Sequence, residues 1–152
     1  MNILFCVDGS EESKKALRLS APFLKKRDFK ITLFNVLPEI RESYKHYEKF
    51  IDEEIKEVRK VFKKGEEDHE TEAINESVEI LKEFGIRAKK RHRHGEAVDE
   101  ILNEIEEGDY ELVILGSHGY TGLKKVLMGS VSSKIMEKSP ISVLIVKSRR
   151  ED

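Results

Sequence analysis

The chain has no tryptophan, one cysteine and three prolines in 152 residues. A single cysteine excludes an intrachain disulfide, and Cys6, set in Ile3-Leu4-Phe5-Cys6-Val7, reads as a small buried hydrophobe and not a redox centre. No apolar run approaches the roughly 20 residues that span a bilayer, and Met1 leads straight into a short apolar run with no basic leader or cleavage site. A soluble cytoplasmic protein without membrane contact is expected. Charge of one sign is not in excess either: 28 Lys and Arg face 30 Asp and Glu, leaving a formal net charge of -2. That balance argues against a nucleic-acid partner. There is no internal repeat, low-complexity tract or Pro/Gly/Ser linker, so the expectation is a single domain over residues 1–147 with a frayed tail at 148–152.

What is present is an alternation of short, branched apolar runs with longer segments of helical period, the pattern of an α/β fold with a doubly wound, mainly parallel sheet. Five strands are expected at residues 2–7, 30–36, 86–93, 111–116 and 141–146. The first, fourth and fifth are nearly unbroken apolar runs, as strands covered on both faces should be. Ser10 followed by Glu11 and Glu12 starts a helix with an apolar stripe of Ala16, Leu17, Phe23 and Leu24, in which Pro22 predicts a kink or an early end. Residues 44–84 are helical in pattern, with Tyr47, Ile51, Ile55, Val58 and Phe62 on one stripe and Ile74, Val78 and Leu81 on another. The acidic stretch from Gly65 to Glu72 interrupts them, and His69 within it belongs to solvated surface. A further helix follows Gly95, marked by Ala97, Val98, Ile101, Leu102 and Ile105. In the third strand Arg87, Lys89, Arg91 and Arg93 alternate along one face, which predicts an exposed edge strand whose charges discourage pairing. His92 and His94 share a face but lack a third ligand for a metal.

The most informative constellation is Gly116-Ser117-His118-Gly119, nine further residues, then Gly129-Ser130, placed after Leu112-Val113-Ile114-Leu115. Glycines at the end of a buried strand admit positive φ and close backbone approach to an anion. The helix opened by Gly129-Ser130 offers amides without internal partners, and the Ser130 hydroxyl either caps that helix or reaches a phosphate oxygen. The expectation is a nucleotide-binding domain. Each glycine taken singly is equally compatible with an ordinary turn.

At Gly116-x2-Gly119-x9-Gly129-Ser130 the chain resembles the universal stress proteins, in the branch that keeps the ATP-binding motif. Val7-Asp8-Gly9-Ser10, Ile31 to Val36, Gly95-Glu96-Ala97 with Ile101, and Ser139-Pro140 to Val146 resemble other parts of the family pattern, although Asn35 stands where many members have histidine. The resemblance implies a five-stranded parallel sheet of order 3-2-1-4-5 with helices on both faces, adenine nucleotide alpha hydrolase-like. It implies adenine near Val7, Asp8 and the Val36 backbone, ribose beside Gly116, and phosphates at the amides of Gly119, Gly129, Ser130, Val131 and Ser132. ATP or another adenine nucleotide is the implied ligand, with Mg or Mn bridging its phosphates, and a homodimer through Ile141 to Val146 is the implied assembly. Asp8 serves the ligand or forms an Asx turn, and His118 touches phosphate or faces solvent.

Binding is favoured over catalysis. The chain has no Gly-x4-Gly-Lys-Ser/Thr loop and no residue that evidently activates water, so any ATP hydrolysis should be slow. Lys124 and Lys125 either screen phosphate or are simply solvated. A flavodoxin would need a hydroxyl-rich loop where Asp8-Gly9-Ser10-Glu11-Glu12 puts acids, and a response-regulator receiver would need an aspartate where His92-Arg93-His94 stands. The expected role is a stress-response signalling module in which nucleotide orders the loop from Gly116 to Gly129. The alternative is a nucleotide-free dimeric scaffold.

Overall fold

A computed structural model describes residues 1–38, 72–118 and 128–148. Five strands, β1 (Asn2–Cys6), β2 (Lys30–Leu37), β3 (Ala88–His94), β4 (Leu112–Gly116) and β5 (Ser142–Val146), form one sheet in the order β3-β2-β1-β4-β5. Every pairing is parallel. The described helices are α1 (Glu11–Lys25), α2 (residues 72–83), α3 (Ala97–Glu107) and α4 (Ser130–Lys138). The stripe expected at Tyr47 to Phe62, the acidic stretch with His69, and Gly119, Lys124 and Lys125 lie outside the described residues.

Apolar side chains on both faces of β1, β2 and β4 require two covers, and the structure supplies them. On one face Ile3, Phe5, Leu33 and Ile114 pack against Leu17 and Leu24 of α1 and Ile74 and Leu81 of α2. On the other, Leu4, Phe34, Val113 and Leu115 pack against Val98, Ile101 and Ile105 of α3 and Ile135 of α4. Each fully buried leucine or isoleucine in these layers contributes about 1.5–3 kcal/mol.

Helix α1 starts where the sequence signals it: the Ser10 hydroxyl accepts from the Ser13 amide at 3.1 Å, and Glu11 and Glu12 sit in the first turn against the positive end of the dipole. Helix α1 holds Pro22 on its exposed side, where the missing N–H is tolerated because water reaches the orphaned carbonyl, and ends three residues further on at Lys25. Its apolar stripe differs from expectation. Phe23 is 53% exposed, its ring 6.1 Å from that of Phe29, and Ala21 takes its place in the buried stripe.

The third strand is indeed an edge strand, but two of its cations are not left to solvent. Arg91 and Arg93 lie on the α3 face and donate from Nε to the two carboxylate oxygens of Glu104, at 2.8 and 2.9 Å. Glu104 is 1% exposed, and the Tyr110 hydroxyl donates to its Oε1 at 2.8 Å. Arg93 also reaches Glu107, at 2.5 Å. On the opposite face His92 and His94 meet edge to face, 5.9 Å apart, and among the described residues no three His, Cys, Asp or Glu side chains gather to hold a metal. At the far end of the sheet Ser148, first residue of the expected tail, is hydrogen-bonded to the Glu12 carboxylate.

Candidate functional site

The strand order reverses between β1 and β4, which open crossovers in opposite directions and leave a crevice beyond their carboxyl ends. A cavity of about 310 Å³ lies there. Eight of the residues singled out from the sequence line it: Val7, Asp8, Val36, Gly116, Gly129, Ser130, Val131 and Ser132. Gly119, the ninth, lies outside the described residues.

Each element places its contribution by a local rule. β1 ends at Cys6, Val7 continues by donating its amide to the Phe34 carbonyl at 2.8 Å, and Gly9 then turns the chain with φ +78°, a conformation that favours glycine. Asp8 sits in that turn. Its Oδ1 accepts from the Ser10 amide at 2.9 Å and from the Ser10 hydroxyl at 2.6 Å, while its amide donates to the Ser13 hydroxyl at 3.3 Å. Asp8 therefore forms an Asx turn, and Oδ2 remains as its second acceptor.

The glycines at the other wall act differently from expectation. Neither Gly116 nor Gly129 has positive φ; among the described residues only Gly9, Gly85 and Gly95 do. What favours a glycine at 129 is close approach. Its amide donates to the Ser117 carbonyl at 2.6 Å, and a Cβ built there would lie 3.1 Å from that oxygen. At Gly116 a Cβ would meet nothing nearer than 3.6 Å.

Gly129, not Ser130, is the N-cap of α4, with φ -68° and ψ 160° and no side-chain cap. The capping role allowed for Ser130 is thus overturned. Ser132 and Ser133 turn their hydroxyls to the Gly129 carbonyl, at 3.2 and 2.8 Å, and Ser132 also donates to the Ser117 carbonyl at 3.1 Å. With no side chain spent on the first turn, the amides of Ser130, Val131 and Ser132 face the cavity end of the helix with its partial positive charge.

The rest of the wall escaped the sequence reading. Phe34 lines the cavity from β2, Ala97 and Ile101 from α3, and Leu115 from β4. The signal existed: strand alternation puts Phe34 on the same face as Val36, and Ile101 follows Ala97 by one helical turn. Cys6 also contributes, and burial, reinforced by the Glu104 carboxylate, pushes its thiol far above the usual range, so it stays protonated. His118 lies at the rim, with Nδ1 3.0 Å from the Ser117 hydroxyl. The site is thus a partly apolar slot flanked by an uncapped helix start on one side and an aspartate turn on the other. Such a slot suits a planar apolar ring carrying an anion.

Known proteins share this fold. Residues 1–147 match the Universal stress protein family. Universal stress protein YxiE of Bacillus subtilis is 32% identical over 152 residues, which cover 95% of this chain and 97% of the relative. The solved structure of the hypothetical protein MJ0577 superposes with a TM-score of 0.72 at 29% identity, covering 99% of this chain and 97% of that one. A universal stress protein family protein of Arabidopsis thaliana, solved with AMP bound, has a TM-score of 0.67 at 17% identity, covering 98% and 92%. Two further structures of this fold hold cAMP and, in the Archaeoglobus fulgidus protein, dAMP.

Proposed function

This chain belongs to the universal stress protein family, and from that membership and the crevice we propose that it binds an adenine nucleotide, ATP or AMP, as a regulatory module. The observation that carries the reading is the uncapped start of α4, aimed into a slot whose remaining wall is largely apolar. The adenine ring fits between Val7 and Val36 and the side chains of Ile101 and Leu115. Asp8 Oδ2 accepts from a ribose hydroxyl or the adenine amino group. Gly116 adjoins the ribose, and the phosphates take the amides of Ser130, Val131 and Ser132, with Gly119 as a further proposed donor; the Gly129 amide, expected to join them, is instead spent on the Ser117 carbonyl. The nucleotides held by universal stress proteins of the same fold support the ligand class.

A Mg or Mn ion bridging the phosphates would accompany the nucleotide in this reading; among the described residues no three His, Cys, Asp or Glu side chains gather to hold one. The proposed output is a change, on binding, in the surface formed by the segment from Gly116 to Gly129, read by a partner in a stress response. A homodimer through β5 goes with it, since Leu144 is 37% exposed on that edge strand. Without nucleotide binding, this edge leaves a dimeric scaffold as the second reading.

Calorimetry with AMP, ATP and GTP on the wild type and on Ser130→Asp tests the ligand. Aspartate at the first turn favours the helix but repels phosphate. The expected result is saturable binding of AMP and ATP, weaker binding of GTP, and at least a tenfold loss in the variant. Absence of saturable heat with both adenine nucleotides, or equal affinity in the variant, would remove the proposal.

A further inference from the structure

A second, larger hollow lies at the opposite end of the sheet, where the chain enters β1, β2 and β3. It measures about 570 Å³, and four cations line it: Lys30, Arg87, Lys89 and Arg91. Asp109 is the one carboxylate in its lining, and that side chain accepts from the Asn2 amide group at 3.4 Å. In a chain of net charge -2, this is a local concentration of positive charge.

The cations differ in how they are held. Lys30, Arg87 and Lys89 are exposed, and among the described residues none of them forms an ion pair. Like charges around one hollow repel, and an anion placed among them relieves that repulsion. Arg91 is fixed. Its Nε donates to Glu104, a carboxylate 1% exposed that also accepts from Arg93 and Tyr110, and this leaves the terminal N–H groups of a 54% exposed guanidinium for another acceptor. A guanidinium held by one buried carboxylate is pre-organised, so an oxyanion meets a donor fork whose orientation is already set. Thr32, 7% exposed and in register with Lys89, also lines the hollow.

We propose that this hollow binds a small polyanion, a molecule bearing several phosphate or carboxylate groups, with Arg91 as the fixed anchor and Lys30, Arg87 and Lys89 as the neutralising rim. The site is separate from the nucleotide crevice, which lies beyond the other end of the strands. Inorganic pyrophosphate and citrate serve as probes of the two oxyanion sources.

Calorimetric titration of the intact protein at low salt, with and without saturating AMP, tests the proposal on the wild type and on the double variant Arg87→Gln/Lys89→Gln. Both substituted side chains are exposed, so folding should be retained, and a thermal melt confirms it. The expected result is saturable binding of at least one probe, undisturbed by AMP and weakened about tenfold or more in the double variant. Binding of pyrophosphate alone marks a phosphate site and binding of both a general oxyanion site, and either supports the proposal. Saturation by neither probe, an unchanged affinity in the double variant, or complete displacement by AMP would overturn it.

Discussion

The amide of Gly129 donates to the carbonyl of Ser117 across 2.6 Å, joining the exit of β4 to the start of α4. This bond sets the width of the proposed phosphate end of the crevice, because it positions the first turn of α4 directly beside the end of a central strand. The closeness that makes the bond also leaves little room for a side chain.

Alanine at 129 would bring a Cβ 3.1 Å from the Ser117 oxygen, and alanine caps a helix less well than glycine. Gly129→Ala should therefore cost about 1 kcal/mol, whereas Gly116→Ala, with its nearest neighbour at 3.6 Å, should stay within about 0.5 kcal/mol of wild type. Urea denaturation of the two variants checks the contrast. Equal stabilities would show that the α4 start moves freely away from β4.

Removing Glu104 takes a shared buried carboxylate from Arg91, from the Tyr110 hydroxyl and from Arg93, which keeps Glu107. Glu104→Ala should cost about 3 kcal/mol, at the lower end for a broken buried pair because Arg91 remains half exposed. Chemical denaturation measures it, and a loss below 1 kcal/mol would mean that water replaces the carboxylate.

At alkaline pH the Tyr110 hydroxyl supplies a signature. Burial, together with its bond to Glu104, raises its pKa above the ordinary value of a tyrosine. A raised folded value means that the stability it contributes is fully present below about pH 10 and is lost as pH rises through the higher folded value. The stability of Tyr110→Phe should fall less steeply than that of wild type above pH 10. Parallel curves would refute the assignment.

In acid the sign reverses. Hydrogen bonds from Ser148, Arg18 and Arg93 hold Glu12, Glu83 and Glu107, respectively, below the usual carboxylate range. Their contribution is present above about pH 4.3 and lost as pH falls through their lower folded values. The triple variant Glu12→Gln/Glu83→Gln/Glu107→Gln should be less stable than wild type at neutral pH and approach it near pH 2, as followed by circular dichroism.

For the proposed homodimer, Leu144→Lys places a charge on the exposed edge of β5. Light scattering at micromolar concentration should report a dimer for wild type and a monomer for the variant. A monomeric wild type would end the dimer proposal.

The sheet was legible because unbroken apolar runs such as Leu112 to Leu115 admit few alternatives to buried parallel strands. The α1 cap at Ser10 was legible because its signal is local. What escaped notice depended on contacts distant in sequence. Glu104 occupies an inward position one turn beyond Ile101, but a carboxylate there makes sense only once β3 delivers Arg91 and Arg93. Phe23 departs from the expected stripe because its angle on the helix, and not its hydrophobicity, decides which face it takes. At the crevice, the structure gives the glycine at 129 a reason other than the expected one: closeness to Ser117, not backbone sign, favours it.

Cys6 has a practical consequence. A thiol whose pKa burial raises reacts slowly with alkylating dyes, and the sequence offers no other. One cysteine introduced at an exposed position, Ser130 at the crevice or Lys89 at the opposite hollow, would be the faster-reacting attachment point for a fluorophore. Either end of the sheet can then be watched separately while ligands are added.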